Sequence, residues 1–424
     1  MDKREFLEIQ AIANPSVKTG FLSSTVIPLE AIANAFIEAT RGTPLQPFAT
    51  AKPAKLSGWD GFRVTLHPNA MPVEILADRI TLRVSIIRFS AITSLTGPGY
   101  HAFVIACMDA VQAKLGLKWD YVGTSDDQTG YARTRDFSGL QHEMARFFRN
   151  RCRQVVEGRI RPRVAGTPAA YLGIPIGAAW EGDGNEILTN FGPRSFEEVE
   201  QWSALEGDSL AAAAADFFPW WGQGFEGTFY RGVALELMWR RMRWAKLFER
   251  SEGTLIANVL NCLSEAMRHG HRLPVSLSVI SEILTLVGPE APEFPHSKGI
   301  GYRRRNVPIT MNGWSVSVPG SLVLESTEPG GCAVGNGAFR VQVSDGILSP
   351  GADHGGEALA PGEVARDRGF YPADDGKGFV LDAVVRTPSL RGPEHLCLVK
   401  IWMADEKWRN LAEAIVDSVT LTKT

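Results

Sequence analysis

The fold depends on residues 216–244, which read "DFFPWWGQGFEGTFYRGVALELMWRRMRW" and are dense in tryptophan, phenylalanine and arginine. From Thr228 to about Glu249, apolar residues recur at helical spacing, and this predicts an amphipathic helix that buries its aromatic side. The predicted buried side consists of Phe229, Tyr230, Val233, Ala234, Leu237, Trp244, Ala245, Leu247 and Phe248. Because a nucleic-acid face needs exposed rings, the pattern favours the packed centre of a helical domain.

The charged residues of this helix are predicted to divide between its two sides. Arg231 and Glu236 fall on the side predicted to face solvent. Arg241 falls among the apolar residues, where a guanidinium needs a carboxylate partner or a route to water. We expect that partner to be Asp216 or Glu236. Structural roles are therefore predicted for Trp239, Arg241 and Trp244.

The residues before the helix, 216–227, form a loop in which a proline and several glycines break the helical period. Trp220 and Trp221 are adjacent and cannot lie on one face of a regular element, so one of them is predicted to stay partly exposed. We therefore predict a partner-binding surface made of Phe218, Trp220, Trp221 and Phe225. Two alternatives stay open: the loop packs back as a plug over the core, or it closes over a small molecule.

The whole chain predicts an α+β multidomain protein, because 424 residues exceed what one compact core usually holds. Residues 1–192 mix helix and strand patterns and predict an N-terminal α+β domain. Residues 193–290 predict a helical middle domain, and the proline-rich stretch 288–299 predicts a linker. Residues 300–424 predict a C-terminal antiparallel sheet with packed helices.

Two helices of the N-terminal domain are predicted in detail. The first follows Gly97-Pro98-Gly99 and ends at Gly116, since a glycine after the last apolar position supplies the left-handed cap of a helix. The second covers residues 136–158, and its predicted buried side includes Leu140, Met144 and Phe148.

The C-terminal domain shows period-two alternation and then a final helix. The predicted strands are "GWSVSVPG", "SLVLEST", "AFRVQVSDG", "GFVLDAVVRTP" and "HLCLVKIWMA". The final helix, "DEKWRNLAEAIVDSV", begins with two acidic residues that complement its dipole. Its predicted buried face consists of Trp408, Leu411, Ile415 and Val419.

The C-terminal sequence from Ile309 to about Leu421 resembles the Mog1/PsbP/DcrB-like superfamily. The resemblance depends on Trp314, Val316, Val318, Pro319, Ala414, Ile415 and Ser418. It implies a twisted antiparallel sheet backed by helices, used for binding or assembly rather than for catalysis. One bacterial branch of this superfamily consists of small chaperones for type VI secretion effectors.

Composition and charge exclude several classes of protein and function. A net charge of −3 gives no global attraction for nucleic acid, so nucleic-acid binding is not expected. The charged N-terminus argues against a signal peptide, and no apolar run reaches the roughly eighteen residues of a membrane span. Five cysteines without C-x-x-C spacing predict neither disulfides nor a zinc site. A cytoplasmic protein without metal or cofactor is therefore expected.

Two sequence patterns contain residue types that bind metals but lack the full set of ligands that a metal needs. The loop around Asp126 and Asp127 lacks the alternating ligands and terminal glutamate of a calcium-binding EF-hand. His269 and His271 lie two residues apart at a predicted helix end and would need further ligands from elsewhere. A solvated turn and a helix C-terminus that favours basic residues explain these patterns without a metal.

The sequence predicts a non-catalytic binding function, with another protein as partner. The basic run at residues 303–305 is a second predicted contact, for which a solvated charge run is the alternative. It consists of Arg303, Arg304 and Arg305. The superfamily resemblance narrows the expectation to an adaptor, chaperone or immunity protein for a bacterial secreted effector or toxin. The alternatives are a small-molecule sensor, or an enzyme with its site between the first two domains. The first candidates for that enzyme site are Asp126, Asp127, His142 and Glu143.

Overall fold

A computed structural model describes the chain in separate stretches that fall in two compact units. It describes residues 7–18, 24–56, 59–79, 85–121, 127–157, 170–171, 186–189, 192–238, 242, 250–271, 306–311, 314–320, 322–328, 331–347, 364–374, 376–387 and 395–421. Unit 1 comprises residues 1–157, 198–236 and 261–273, and unit 2 comprises residues 158–197, 237–260 and 274–424. The segment 193–290, predicted as one helical domain, is thus divided between the two units.

Unit 1 contains an open antiparallel sheet of six strands, in the order β4-β5-β6-β7-β1-β8. The strands of this unit are β1 (Glu8–Ala13), β2 (Ser16–Lys18), β3 (Ser24–Val26), β4 (Thr50–Leu56), β5 (Trp59–Thr65), β6 (Val73–Arg79), β7 (Ser85–Ile92) and β8 (Trp119–Asp120). Side chains alternate across the sheet, so that Ile9, Ile75 and Phe89 are buried on one face.

The first helix of this unit packs against β4, β5 and β6, and the helices after it continue along the chain into the aromatic stretch. The helices are α1 (Leu29–Ala39), α2 (Pro98–Leu115), α3 (Tyr131–Thr134), α4 (Phe137–Val156), α5 (Phe196–Ala204), α6 (Gly207–Phe217) and α7 (Gly227–Glu236). A further helix, α8 (Arg250–Arg268), has its first part in unit 2 and its last part in unit 1.

Both helices that the sequence predicted in detail are confirmed. Helix α2 ends at Gly116, whose φ of 68° lies in the left-handed region that a glycine adopts without strain. Helix α4 begins after Asp136, whose carboxylate accepts a hydrogen bond from the Gly139 amide at 3.0 Å. Its predicted inner residues Leu140, Met144 and Phe148 are buried.

Helix α7 corrects one prediction about the aromatic stretch. Phe229 and Val233 are buried as expected, but Arg231 and Glu236, predicted to face solvent, are also buried. The Arg231 guanidinium donates to the Ala215 carbonyl at 3.2 Å and lies 3.4 Å from Asp216 Oδ1, at the C-terminus of α6. The helix C-terminus supplies partial negative charge, so it can hold a buried cation.

Unit 2 contains the C-terminal sheets that the sequence predicted. Its strands are β9 (Ala170–Tyr171), β10 (Glu186–Thr189), β11 (Gly192–Ser195), β12 (Asn306–Met311), β13 (Trp314–Pro319), β14 (Val323–Glu328), β15 (Gly331–Gly335), β16 (Phe339–Ile347), β17 (Ala365–Pro372), β18 (Phe379–Thr387), β19 (His395–Met403) and β20 (Thr420–Leu421). Six of them form an antiparallel sheet in the order β14-β15-β16-β19-β18-β17.

One face of this sheet is packed against the last helix, α9 (Arg409–Asp417). Ile415 and Val416 of α9 share a core with Leu381, Val385 and Ile401 of the sheet. The predicted face of the final helix is confirmed, since Trp408, Ile415 and Val419 are buried and Leu411 is half-buried. The fold is therefore mixed α/β, with open antiparallel sheets and packed helices.

Candidate functional site

The second face of the six-stranded sheet in unit 2 forms an open hollow with a volume of about 540 Å³. Its centre is a row of residues that lie side by side on β16, β19, β18 and β17: Gln342, Lys400, Asp382 and Gly369. The next row consists of Ser344, Leu398, Val384 and Asp367. Gly369 carries no side chain, and the Tyr371 ring lies against its position beside Asp382. We call this surface the outer face.

Charged groups on the outer face pair with one another. The Tyr371 hydroxyl donates a hydrogen bond to Asp382, and Lys400 Nζ lies 3.9 Å from the same carboxylate. Arg386 lies 3.2 Å from Asp367 Oδ2. The hydrogen bond to Asp382 raises the pKa of Tyr371 to about 12, so that the phenol remains a neutral donor at physiological pH. These pairs leave a polar surface on which positive and negative charges balance.

Apolar side chains are exposed between these charge pairs. Leu398, on the central strand β19, is 42% exposed, and Tyr371, on the edge strand β17, is 38% exposed. Val384 and Trp402 on the same face are half-buried. The outer face therefore combines apolar contact area with fixed hydrogen-bonding groups, as binding surfaces do.

The loop predicted to bind a partner is packed into unit 1, and we call residues 218–226 the plug. Trp220 donates its backbone N–H to Thr96 O at 2.9 Å, and its own carbonyl accepts from the Gly99 amide at 3.0 Å. The Trp220 ring lies 5.6 Å from that of Phe103 and 4.8 Å from that of Phe229. The loop therefore packs back over the core, which is one of the two alternatives that the sequence left open.

This packing corrects the predicted exposure of two of the four aromatic residues in the loop. Phe218 and Trp220 are fully buried, so neither ring is accessible to a partner while the plug is closed. Trp221 and Phe225 are half-buried. Their role in binding stays a prediction. The adjacent residues Trp220 and Trp221 differ in burial, as expected for neighbours that cannot lie on one face.

Substitution of Gly99 tests how closely the plug is packed. A Cβ at this position would collide with the Gly222 carbonyl oxygen and with the Trp220 ring, whereas a Cβ at Gly224 would meet nothing within 4 Å. We expect Gly99→Ala to lower the free energy of unfolding by about 1 to 3 kcal/mol, because overpacking displaces backbone or rings. Gly224→Ala, in the plug itself, is the matched control and is expected to change it by less than about 1 kcal/mol. Urea denaturation measures both; equal effects would contradict close packing at Gly99.

A buried histidine lies beneath the plug. His67 Nδ1 accepts a hydrogen bond from the Asn69 amide at 3.0 Å, which requires the ring to be neutral at that nitrogen. The ring stacks on Trp220 at 5.4 Å between centroids and also contacts Tyr100 and Phe229. Burial lowers the pKa of His67 to about 3.

Unit 1 also contains a buried histidine–aspartate pair, of which the sequence predicted Asp127 but not His101. His101 Nε2 lies 3.3 Å from Asp127 Oδ1, and His101 Nδ1 lies 2.8 Å from Thr93 Oγ1. Thr129 donates its hydroxyl to Asp127 at 2.6 Å. Burial alone raises the pKa of Asp127, but hydrogen bonding and attraction to His101, with hydrogen bonds from the Ala132 amide and Thr129, lower it overall.

The other residues proposed for an enzyme site have different partners. His142 Nδ1 lies 2.7 Å from the Ser138 carbonyl oxygen, and Glu143 pairs with Arg146 at 2.7 Å. Asp126 lies outside the described residues. Of the four candidates, Asp127 is the one seen in a buried polar network, and its partner His101 had one sequence signal, a histidine within an apolar helical run. A row of hydroxyl, imidazole and carboxylate groups can relay a proton, but this one is closed to solvent, with side-chain exposures of 0% and 5% for His101 and Asp127.

The predicted structural residues Trp239, Arg241 and Trp244, and the predicted contacts Arg303, Arg304 and Arg305, lie outside the described residues. A buried guanidinium joined to Asp216 is seen for Arg231, while the same arrangement for Arg241 stays a prediction. Within the stretches that the structure describes, no three His, Cys, Asp or Glu side chains are grouped so as to hold a metal ion. No helix in those stretches has the length and apolar content to span a membrane.

Comparison of the sequence with protein-family models and with curated proteins found no match. The resemblance of residues 309–421 to the Mog1/PsbP/DcrB-like superfamily therefore stays a prediction.

Proposed function

We propose that this protein is a non-catalytic binding factor whose outer face receives a segment of another protein. The observation that supports the proposal is the hollow of about 540 Å³ on the outer face, where Leu398 and Tyr371 are exposed beside paired charges. Burying these side chains against a partner would remove apolar area from water, which is the main driving force of association.

The chemistry of the outer face limits the kind of segment that fits. Leu398 and Val384 favour apolar partner side chains. Asp382 and Asp367 are already paired with Lys400, Tyr371 and Arg386, so a strongly charged partner of either sign gains little net attraction. The proposed partner is therefore a segment with a row of apolar side chains and polar flanks. The further assignment to an adaptor, chaperone or immunity protein of a bacterial secretion system, in the cytoplasm, is supported by the superfamily resemblance alone.

The enzyme alternative has less support from the geometry. A catalytic site needs ionisable groups that a substrate can reach, and the His101–Asp127 pair is enclosed. On the outer face, Asp382 and Asp367 are reachable, but each is held by a cation or a phenol. These contacts suit recognition better than proton transfer.

Replacement of Leu398 by arginine tests the proposal. We expect Leu398→Arg to weaken partner binding by about 2 kcal/mol or more, which is about thirtyfold in Kd, because it places a charge where the partner buries apolar area. Met71, on unit 1, is 41% exposed, so Met71→Arg is the matched control and is expected to bind as the wild type. The native partner is captured from host extract with wild-type protein, purified, and titrated against each folded variant.

The identity of the contact surface is checked by photo-crosslinking from Gln342, an exposed residue of the outer face. A crosslink from this position to the captured partner would support the proposed surface. Equal affinity of the partner for the wild type and Leu398→Arg would refute it, as would the failure to retain any protein in stoichiometric amount.

A further inference from the structure

We infer that His67 makes the closed position of the plug sensitive to acid, so that a fall in pH favours release of the plug and exposure of the aromatic residues beneath it. This inference concerns unit 1 and does not depend on the partner proposed for the outer face. Its basis is that the imidazole of His67 is fully enclosed and that its contacts suit the neutral ring but not the protonated one.

The hydrogen bond from Asn69 fixes the protonation state of His67. Because Nδ1 accepts the backbone N–H of Asn69, a proton added to the ring would have to sit at Nδ1 and break this bond. The Asn69 amide would then face a donor in a buried place. Protonation of His67 therefore requires that its immediate surroundings move apart.

The rings around His67 also disfavour a buried charge. The groups that face it are Asn69 from its own loop, Tyr100 from α2, Trp220 from the plug and Phe229 from α7. Of these only Tyr100 titrates, and burial raises its pKa, so it stays neutral. No carboxylate appears among these contacts to balance an imidazolium, and removal from water lowers the pKa of His67.

We infer that movement of the plug is what hydrates His67. The Trp220 ring stacks on the imidazole, and Trp220 belongs to a loop rather than to a helix or a strand. Release of the loop would also expose Phe218 and Trp220, which are fully buried when it is closed. A fall in pH would therefore expose two of the residues that the sequence predicts as partner contacts.

Linkage gives the size and sign of the effect. His67 has a pKa of about 3 when the plug is closed and an ordinary pKa of 6.5 when it is open. Neutral His67 thus contributes its full stabilisation of the closed plug above pH 6.5. This stabilisation is progressively lost as the pH falls from 6.5 toward 3. Between pH 7.5 and pH 5.0 the opening constant is expected to rise by about thirtyfold.

Hydrogen exchange of a peptide covering residues 215–230 measures this opening, after correction for the pH dependence of intrinsic exchange. We expect the thirtyfold rise in the wild type and less than a threefold rise in His67→Phe and His67→Gln, which do not titrate. His67→Phe keeps an aromatic ring against Trp220, and His67→Gln keeps an acceptor for the Asn69 amide, so one can stand in if the other does not fold. His142→Gln, at an exposed histidine of unit 1, is the control and should behave as the wild type.

Two results would overturn the inference. One is corrected exchange of this peptide that is the same at pH 7.5 and pH 5.0 in the wild type. The other is a rise that persists in both His67 variants, since the proton would then act through another group, such as the His101–Asp127 pair in the same unit.

Discussion

Replacing Asp127 by asparagine is expected to lower the free energy of unfolding by about 1 to 3 kcal/mol, the usual cost of leaving buried hydrogen-bond donors without the acceptor that they bind. Asp127 is 5% exposed and lies 3.3 Å from His101, which has no exposed surface. Asparagine has nearly the same shape but no charge. Its amide nitrogen is a donor, so one of the donors that the carboxylate satisfies, Thr129 or the Ala132 amide, would face another donor.

A surface pair in the same unit provides the control for Asp127→Asn. Asp109 and Arg135 are 2.9 Å apart but about half exposed, so Asp109→Asn is expected to cost at most about 1 kcal/mol. Urea denaturation at pH 7 measures both variants. A loss below 1 kcal/mol for Asp127→Asn would show that the buried pair does not stabilise unit 1.

The pH dependence gives a second readout of the Asp127 pair. Because folding lowers the pKa of Asp127 below its ordinary value of 3.8, its stabilisation is present above that pH and is lost as the pH falls through the folded value. The difference between the wild type and Asp127→Asn is therefore expected to shrink below about pH 4. A difference that stays constant from pH 7 to pH 3 would argue against ionisation of Asp127 as the cause.

Local periodicity accounts for the parts of the fold that the sequence predicted. The end of α2 at Gly116 and the buried side of α4 follow from helical spacing and from the need of a helix end for a cap. Period-two alternation of apolar and polar residues likewise predicts β16, β18 and β19. These features depend on residues a few positions apart, which one sequence shows directly.

Contacts between residues that are distant in the sequence account for the features that the sequence could not predict. Arg231 is on the polar side of α7 by helical spacing, yet it is buried because the end of α6 lies against it. The outer face exists because β19 lies between β16 and β18, an order that differs from the order along the chain. His101 and Asp127 meet although a strand and a loop separate them in sequence. Each of these depends on tertiary packing, which overrides the local pattern.

Truncation of Trp220 to alanine is expected to cost about 3 to 5 kcal/mol, the range for removing a large aromatic side chain from a core. Trp220 is the largest of the fully buried side chains in the described part of unit 1, and its ring contacts His67, Phe103 and Phe229. Its indole N–H also donates to the Gly224 carbonyl at 2.9 Å, which closes the plug on itself. The substitution removes the stacking and the hydrogen bond together.

Two control variants separate the plug from a general effect of losing a tryptophan. Trp59 is 42% exposed, so Trp59→Ala is expected to change the free energy of unfolding by less than about 1 kcal/mol. Trp220→Phe keeps ring contact with His67 but loses the indole N–H, and an intermediate loss is expected. Circular dichroism is the measurement of choice, because the substitutions themselves alter tryptophan fluorescence. If Trp220→Ala and Trp59→Ala lost the same small amount, the plug would contribute nothing to the core of unit 1, and its residues would be free to act at the surface.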